Sequence, residues 1–432
     1  MAASDFRVII MGGGPEGLAA ANMLAAADID FVVLERAPAI VSDTGAIIML
    51  WPQGTRVLHQ LGLLQPAEGR FMSVRSKTTM TLDGRELSNF GVFDLLEKNH
   101  GYPCANFPRP LLTEVLYEGL GKRKSKVRTG VSIEDIETTD GGVLVHLQDG
   151  SVERGSIVIG ADGVHSVTRS IMRRLAKEST GEDFDKTEKP ILSPFQVLYG
   201  RASYIKGLPK GVFFETHGTN MSSQMSAGDD SIHFGLFRRL PGSTSKRKEY
   251  SDEEVAEFVE AFADVVVMPN LKFKDLWPRC QWTRLVNQHE GLMEHWYHDR
   301  IVLLGDSAVQ MTSAGGMGLN NALQSAVYLV NKLHEVVQSN SNPAKGTLTR
   351  ALADYQDTRR EESRRMCNMS YRYIRANTWE SWLTWFLVEC VFPTVFGLEK
   401  TFRKFGETFI SRTRVLSFVK MDDRTGAIPW AR

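Results

Sequence analysis

Short apolar runs closed by glycine turns alternate with amphipathic stretches along the first part of the chain. Val8-Ile9-Ile10 precedes Met11-Gly12-Gly13-Gly14-Pro15-Glu16-Gly17, and the Ala-rich stretch Leu18–Ala27 that follows has the pattern of a buried helix. Phe31-Val32-Val33-Leu34 is a second continuous apolar run and ends on Glu35. Runs of this kind, bounded by glycine, predict strands buried on both faces of a parallel sheet. Pro52 to Leu61 alternates apolar and polar positions at helical spacing and stops at Gly62. Residues 71–93 alternate as strands about a turn at Asp83-Gly84, and Arg109 to Gly119 reads as a helix with Leu112, Val115 and Leu116 on one face. A hairpin is expected from Val131–Glu137 and Val143–Leu147, and a buried strand at Ile157-Val158-Ile159 runs into Gly160.

From about Thr187 to Gln288 the texture shifts to aromatic and β-branched runs, among them Phe195–Leu198, Val212-Phe213-Phe214 and Ile232–Phe237. This predicts a sheet-rich insertion, broken by a basic Ser/Thr loop at Gly242–Lys248. A buried strand returns at Arg300–Asp306, followed by two long helices at about Asn320–Gln338 and Thr347–Tyr373. Arg359, Arg360, Arg364 and Arg365 are expected mainly on the solvated face of the second. Trp379 to Phe402 crowds Trp382, Trp385, Phe386, Phe392 and Phe396 into a stretch interrupted by Glu389 and Pro393. Its uncharged part is too short to span a bilayer as a helix of ~20 residues. The first reading is a terminal helix packed on the core; the second is a peripheral membrane contact.

Composition changes this picture little. The chain has 432 residues, 42% apolar and 24% charged, which suits a globular protein of two domains or one large domain with an inserted cap. Its 51 basic and 51 acidic residues cancel, so no net field favours nucleic acid. Cys104, Cys280, Cys367 and Cys390 lie far apart and are expected to be reduced, buried thiols of a cytoplasmic protein. The start runs straight into the first strand and is read as leaving no room for a signal peptide. The histidines form no HxxxH or HExxH pattern, which predicts no metal site, and no GxSxG is present.

The candidate chemistry begins at the first turn. Strand, GxGxxG, helix, strand and acid together form a dinucleotide-binding unit: glycines admit backbone amides close to a pyrophosphate, the helix N-terminus adds partial positive charge, and the acid meets a ribose. Gly12, Gly14 and Gly17 are the glycines and Glu35 is the acid. Arg36 leaves FAD, NAD and NADP open, because its guanidinium could meet a 2′-phosphate. Two further glycine turns follow, Gly160-Ala161-Asp162-Gly163 and Gly305-Asp306-Ser307-Ala308, the latter with Gly315-Gly316-Met317-Gly318-Leu319-Asn320 at a helix start.

With Arg109-Pro-Leu-Leu-Thr-Glu-Val-Leu116, these turns resemble the group A flavoprotein monooxygenases, relatives of para-hydroxybenzoate hydroxylase, from Phe6 to about Leu333. Gly45-Ala46-Ile47, Pro52-Gln53-Gly54 and Ile428-Pro429-Trp430 look most like fungal epoxidases of indole-diterpene and meroterpenoid pathways. The resemblance implies an α/β fold: a Rossmann-type FAD-binding domain at 1–186 (with cap strands near 71–105) and 291–375, a β-rich cap at 187–290, and an aromatic-rich helical segment at 376–432. It implies FAD as cofactor, NADPH as transient co-substrate, O₂, and a large apolar substrate that is epoxidised or hydroxylated.

By the same resemblance Arg109 approaches the ribityl and phosphate region, Asp162 serves the flavin and nicotinamide, Asp306 bonds the ribityl chain, and Gly316, Gly318 and Leu319 lie by the pyrimidine ring. Gly45, Ala46 and Met49 would flank the flavin, Met49 standing where the epoxidase branch tends to have glycine. In the insertion Tyr199 and Arg201 are the catalytic candidates, expected on opposite faces of a cap strand; His233 and His289 have no constellation. Val309 and Ser313 depart from the family's histidine and proline, and Met49 together with Val309 is expected to make the pocket bulkier or more apolar. These departures keep an isomerase or cyclase acting without net oxygenation as the alternative. A non-catalytic flavin-binding protein is a further rival.

Overall fold

The computed structural model of the chain describes residues 6–391 and 397–431. Its first sheet has six strands in the spatial order 297–298, 301–303, 157–160, 7–11, 30–35, 127–129. Arg7–Met11 pairs in parallel with both Asp30–Glu35 and Ile157–Gly160, so these three expected strands lie side by side. Val8, Ile9 and Ile10 are fully buried in a core shared with helix Pro15–Ala26 and with Val143, Val145 and Leu147 of a three-stranded antiparallel sheet, whose Gly155 packs on Ile9. The first helix runs Pro15–Ala26, with proline in its first turn.

A second sheet of eight strands stands across from the first. Strands Leu192–Ser203, Val212–Gly218, Met221–Ala227, Ser231–Thr244 and Cys280–Leu292 come from the insertion. Ser76–Thr81 and Glu86–Phe90 add to its edge, the former in parallel with Val212–Gly218. The strands near 71–105 therefore belong to the cap sheet in part only: Val92–His100 is a helix, and Ala105–Pro108 pairs with Ile47–Leu50 in a separate small sheet. Alternation in 86–93 hid the helix, whose buried Val92, Phe93 and Leu96 share one face.

The helices Gly318–Ser339 and Lys345–Asn377 match the two long periodic stretches and extend them by a few residues. Arg359 is a correction. It is 4% exposed, donating from Nη2 to Asn321 Oδ1 at 2.8 Å and from Nε to Ser325 Oγ at 3.2 Å, and pairing with Glu362. The other three arginines form ion pairs nearer the surface.

The C-terminal segment is also unlike its first reading. Trp382, Leu383, Trp385, Phe386 and Leu387 are exposed, Trp382 by 76%, instead of packing on the core. Phe392, Pro393 and Phe396 lie outside the described residues. No helix among the described residues is long and apolar enough to cross a membrane. Cys104 and Cys367 are buried, Cys280 is half-buried, and Cys390 is exposed, against the expectation that all four are buried. The final residues return along the front of the molecule, where Trp430 lies under the Arg56 guanidinium at 4.1 Å from its ring centre.

Removing one partner of a buried ion pair strands the other and costs several kcal/mol. Glu362 retains Arg414 at 2.8 Å, so Arg359→Ala is expected at the lower end, about 3 kcal/mol. The measurement is the urea midpoint, with the exposed Arg364→Ala shifting it by less than about 0.5 kcal/mol.

Candidate functional site: a dinucleotide groove opening into an apolar cavity

A cavity of about 850 Å³ runs from the first glycine turn, between the two large sheets, to the C-terminal helix at Leu398–Phe405. At its first end, Gly12 has φ +105, and a side chain there would collide with the Ala161 carbonyl. Gly17 packs against Gly12 so closely that a Cβ would meet its carbonyl oxygen. Gly14 is different: a Cβ there meets nothing within 4 Å, so its bare backbone faces open cavity at the N-terminus of helix Pro15–Ala26. Such an end carries about half a positive charge. Glu35 and Arg36 line the same end, and Glu35 accepts from the backbone N–H of Gly13 at 2.6 Å and of Ala37 at 2.7 Å.

Midway along the groove, Glu16 and Asp306 face one another. The Asp306 N–H donates to Glu16 Oε2 at 3.2 Å. Burial, then the neighbouring Asp306 charge, raises the Glu16 pKa well above the usual carboxylate range. Burial likewise pushes Asp306 up to about 6, with the Arg109 charge opposing. Arg109 starts helix Arg109–Gly119 and packs its stem against Gly45, where a Cβ would lie 2.9 Å from the Arg109 Cβ. Gly45, Ala46 and Arg109 all line the cavity. Asp162 lines it too, but its carboxylate is occupied. It accepts from Ser166 Oγ at 2.5 Å and from the Thr168 N–H at 2.9 Å, holding the start of helix Val167–Thr180. The carboxylate thus holds its own turn to the start of the helix that follows.

The far end of the groove is the N-terminus of helix Gly318–Ser339, which no side chain caps. Asn320 ties it down by donating to the Met49 carbonyl at 2.9 Å and accepting from the Trp51 N–H at 3.0 Å. Gly316, Gly318, Leu319 and Met49 line the cavity here. Ser313 shapes the preceding turn through hydrogen bonds. Tyr199 donates to Ser313 Oγ at 2.6 Å, Gln288 Nε2 donates to the Tyr199 hydroxyl at 3.1 Å, and the Ser313 N–H donates to Gln288 Oε1 at 2.8 Å. This closed ring constrains a turn where the family has proline. Tyr199 thus ties the cap sheet to this turn, and burial pushes its hydroxyl up to about 12.

Three other expectations change. Tyr199 and Arg201 share a face, because residues two apart in a strand point the same way; each faces its partners Arg284 and Trp282 across the sheet. Arg201 nonetheless is absent from the cavity lining, and its nearest carboxylate is that of the exposed Asp43 at 4.0 Å. Val309 pairs with Leu292 and is buried in the main core, so it does not make the cavity more apolar. His289 bonds Ser193 at 2.8 Å, while His233 lines the cavity with Nδ1 buried and unpartnered. Among the described residues no cluster of His, Cys, Asp and Glu could hold a metal ion.

Sequence reasoning missed several residues that the fold brings in: Glu16, Trp51, Lys77, Asn106, Gln224 and Tyr373 all line the cavity. Glu16 sat inside the first motif and its charge was a usable signal. The others come from separate strands and helices and carried none.

A group with two phosphates, a sugar chain and a flat ring fits this groove. Open backbone at Gly14, the carboxylates of Glu16 and Asp306 and an uncapped helix end would meet its three parts. The comparisons agree. The model of an FAD binding domain matches residues 5–370, and the chain belongs to that family. It is an FAD-dependent monooxygenase, an oxidoreductase. Among curated relatives it is 36% identical to the FAD-dependent monooxygenase srdH of Neurospora crassa, over 99% of both chains. It is 31% identical to the FAD-dependent monooxygenase ausM of Penicillium brasilianum, over 90% of this chain and 83% of that one. Klebsiella pneumoniae HpxO complexed with FAD and uric acid shares the fold, with TM-score 0.72 and 22% identity over 88% of this chain and 91% of that one. The Diels-Alderase PyrE3 also shares it, with TM-score 0.70 and 22% identity over 95% of this chain and 82% of that one.

Because burial lifts the folded-state pKa of Asp306 from 3.8 to about 6, ionising it disfavours the folded chain without cofactor. That penalty is absent below about pH 4 and complete above about pH 6. Asp306→Asn is therefore expected to raise the melting temperature of FAD-free protein by a few degrees at pH 8, with the gain shrinking toward pH 4. The same variant should lose FAD affinity by at least about ten-fold, read by flavin fluorescence on titration.

Proposed function

We propose that the chain uses NADPH and O₂ to place one oxygen atom on a large, mostly apolar intermediate of fungal secondary metabolism, such as a prenylated polycycle or meroterpenoid, with epoxidation favoured over ring hydroxylation. The observation that carries this reading is the continuity of the dinucleotide groove with a lobe lined by Phe93, Phe213, Phe234, Phe402 and Phe405. When bound, FAD supplies the redox chemistry and the activation of oxygen. The chain's own residues do the rest. Gly14 and helix Pro15–Ala26 hold the phosphates, Asp306 and Arg109 hold the sugar chain, and the uncapped end of helix Gly318–Ser339 lends positive potential to the ring. The aromatic lobe excludes water from the reacting carbon.

Ser313 bears on the alternative of an isomerase or cyclase. The ring of Tyr199, Gln288 and Ser313 supplies by hydrogen bonds the constraint that a proline would supply covalently, which favours oxygenation. The test is NADPH consumption by purified yellow protein with meroterpenoid or indole-diterpene intermediates. Oxidation that depends on the intermediate, with one atom of ¹⁸O₂ in the product, is expected. Product formed equally without NADPH or oxygen would establish the cyclase instead.

The reading includes a cytoplasmic chain that touches a membrane surface. Trp382 and Phe386, one helical turn apart, form an exposed apolar ridge with Leu383 and Leu387, and Lys400, Arg403 and Lys404 stand exposed on the next helix. Interfacial tryptophan beside basic residues suits an anionic phospholipid surface. Co-sedimentation with phosphatidylcholine–phosphatidylserine vesicles is expected, and Trp382→Ser with Phe386→Ser should reduce it at least five-fold, by about 1 kcal/mol or more.

A further inference from the structure

A cluster of buried charge sits on the floor of the aromatic lobe, in a place where stability alone gives no reason for it. Glu215, with no exposed surface, pairs with Lys77 and accepts from five groups. Its oxygens take hydrogen bonds from Tyr373 at 2.8 Å, Asn377 at 2.8 Å, Gln224 at 2.7 Å and His217 at 3.0 Å, besides Lys77. His217 reaches Glu389 through its other nitrogen at 2.9 Å. The hydrogen bonds from His217 to Glu215 and Glu389 hold its pKa above the usual histidine value, against the effect of burial. With His217 protonated, two cations face two carboxylates and the cluster is neutral. Taking such charges out of water costs several kcal/mol per ion, and a hydrophobic replacement is often at least as stable.

Lys77 is the charged member that lines the cavity, with Gln224 and Tyr373 beside it. Its ammonium has three donors. One meets Glu215 and one meets the Tyr373 hydroxyl at 2.9 Å, while the third has no acceptor among the described residues. Asn106, fully buried and lining the same cavity, has an Oδ1 with no partner; as an acceptor it would meet a donor on a ligand, while the ligand's acceptor is left to Lys77. Gln224 joins the cluster to the turn beside the ring site by donating to the Ala314 carbonyl at 2.7 Å. Lys77 is thereby linked through Glu215 and Gln224 to the turn that precedes helix Gly318–Ser339. Arg284 also lines the cavity, but it is exposed and so solvated.

We propose that Lys77 is the substrate's polar anchor, and that the ligand it selects is an apolar polycycle bearing a neutral acceptor, a carbonyl oxygen. Neutrality follows from the balance of the cluster: a carboxylate or phenolate would leave one uncompensated negative charge in an aromatic lobe, whereas a carbonyl accepts the spare N–H and adds none. Glu215 and Tyr373 are positioning residues, fixing the ammonium so that its third donor points to the ligand. This deepens the proposed monooxygenase function and rests on it.

The experiment compares binding of 5α-androstan-3-one and the hydrocarbon 5α-androstane, supplied from cyclodextrin to the FAD-loaded full chain and read by perturbation of the flavin absorption. FAD content and reduction by NADPH are measured first on each preparation, so failure of the monooxygenase reading shows there and not in the comparison. Lys77→Met should lower the preference for the ketone over the hydrocarbon at least about ten-fold, as expected for one hydrogen bond to a charged group. Lys77→Met/Glu215→Gln removes both charges together and should lose the preference equally while remaining folded. In the wild type, the stretching band of the ¹³C-labelled carbonyl should move to lower frequency on binding and return in both variants. An unchanged preference in the folded double variant, equal wild-type binding of the two probes relative to it, or no ketone binding at its solubility limit overturns the proposal.

Discussion

Bare backbone must reach a doubly charged phosphate linkage, and that requirement organises the molecule. A side chain at Gly12 or Gly17 would strike neighbouring carbonyls, whereas Gly14 faces empty space at a helix N-terminus. The strand carrying the turn is held between two parallel partners, so the amides are fixed before any ligand arrives. Preorganisation of this kind spares the ordering cost at binding. The remaining glycine turns extend the same surface, one backbone segment after another, over the length of a flavin dinucleotide.

Against that backbone surface the chain sets charges that the folded state by itself would do without. Glu16 and Asp306 are two buried carboxylates with Arg109 nearby; burial raises the pKa of both, and the Asp306 charge raises that of Glu16 further. The cap holds a second buried set around Glu215, joined through Gln224 and the Ala314 carbonyl to the turn before helix Gly318–Ser339. Buried ionic groups are weak evidence for stability and fair evidence for a site. Both sets lie on one continuous cavity, which links cofactor positioning with recognition of the other reactant.

The Ser313 turn shows how such a site tolerates sequence change. Tyr199 and Gln288 hold it from the cap sheet through three hydrogen bonds, supplying a constraint of the kind a proline would give covalently. The constraint moves from one residue's covalent geometry to contacts between two sheets. The departure at Val309 has no such consequence for the cavity, since that side chain points into the core.

Local pattern alone determined the strand–turn–helix–strand–acid unit, the later glycine turns, the sheet-rich insertion and the two long helices. Each is written in residues close together in the chain, where period and turn chemistry act directly. From these, Gly12, Gly14, Gly17, Glu35, Arg109 and Asp306 were legible as one site. Lys77, Asn106, Gln224 and Tyr373 were not, because strands and helices far apart in sequence bring them together. Nor could the pattern separate a helix at Val92–His100 from strand, bury Arg359, or expose Trp382. Those outcomes depend on which neighbour covers a face, and only the packed tertiary structure sets that.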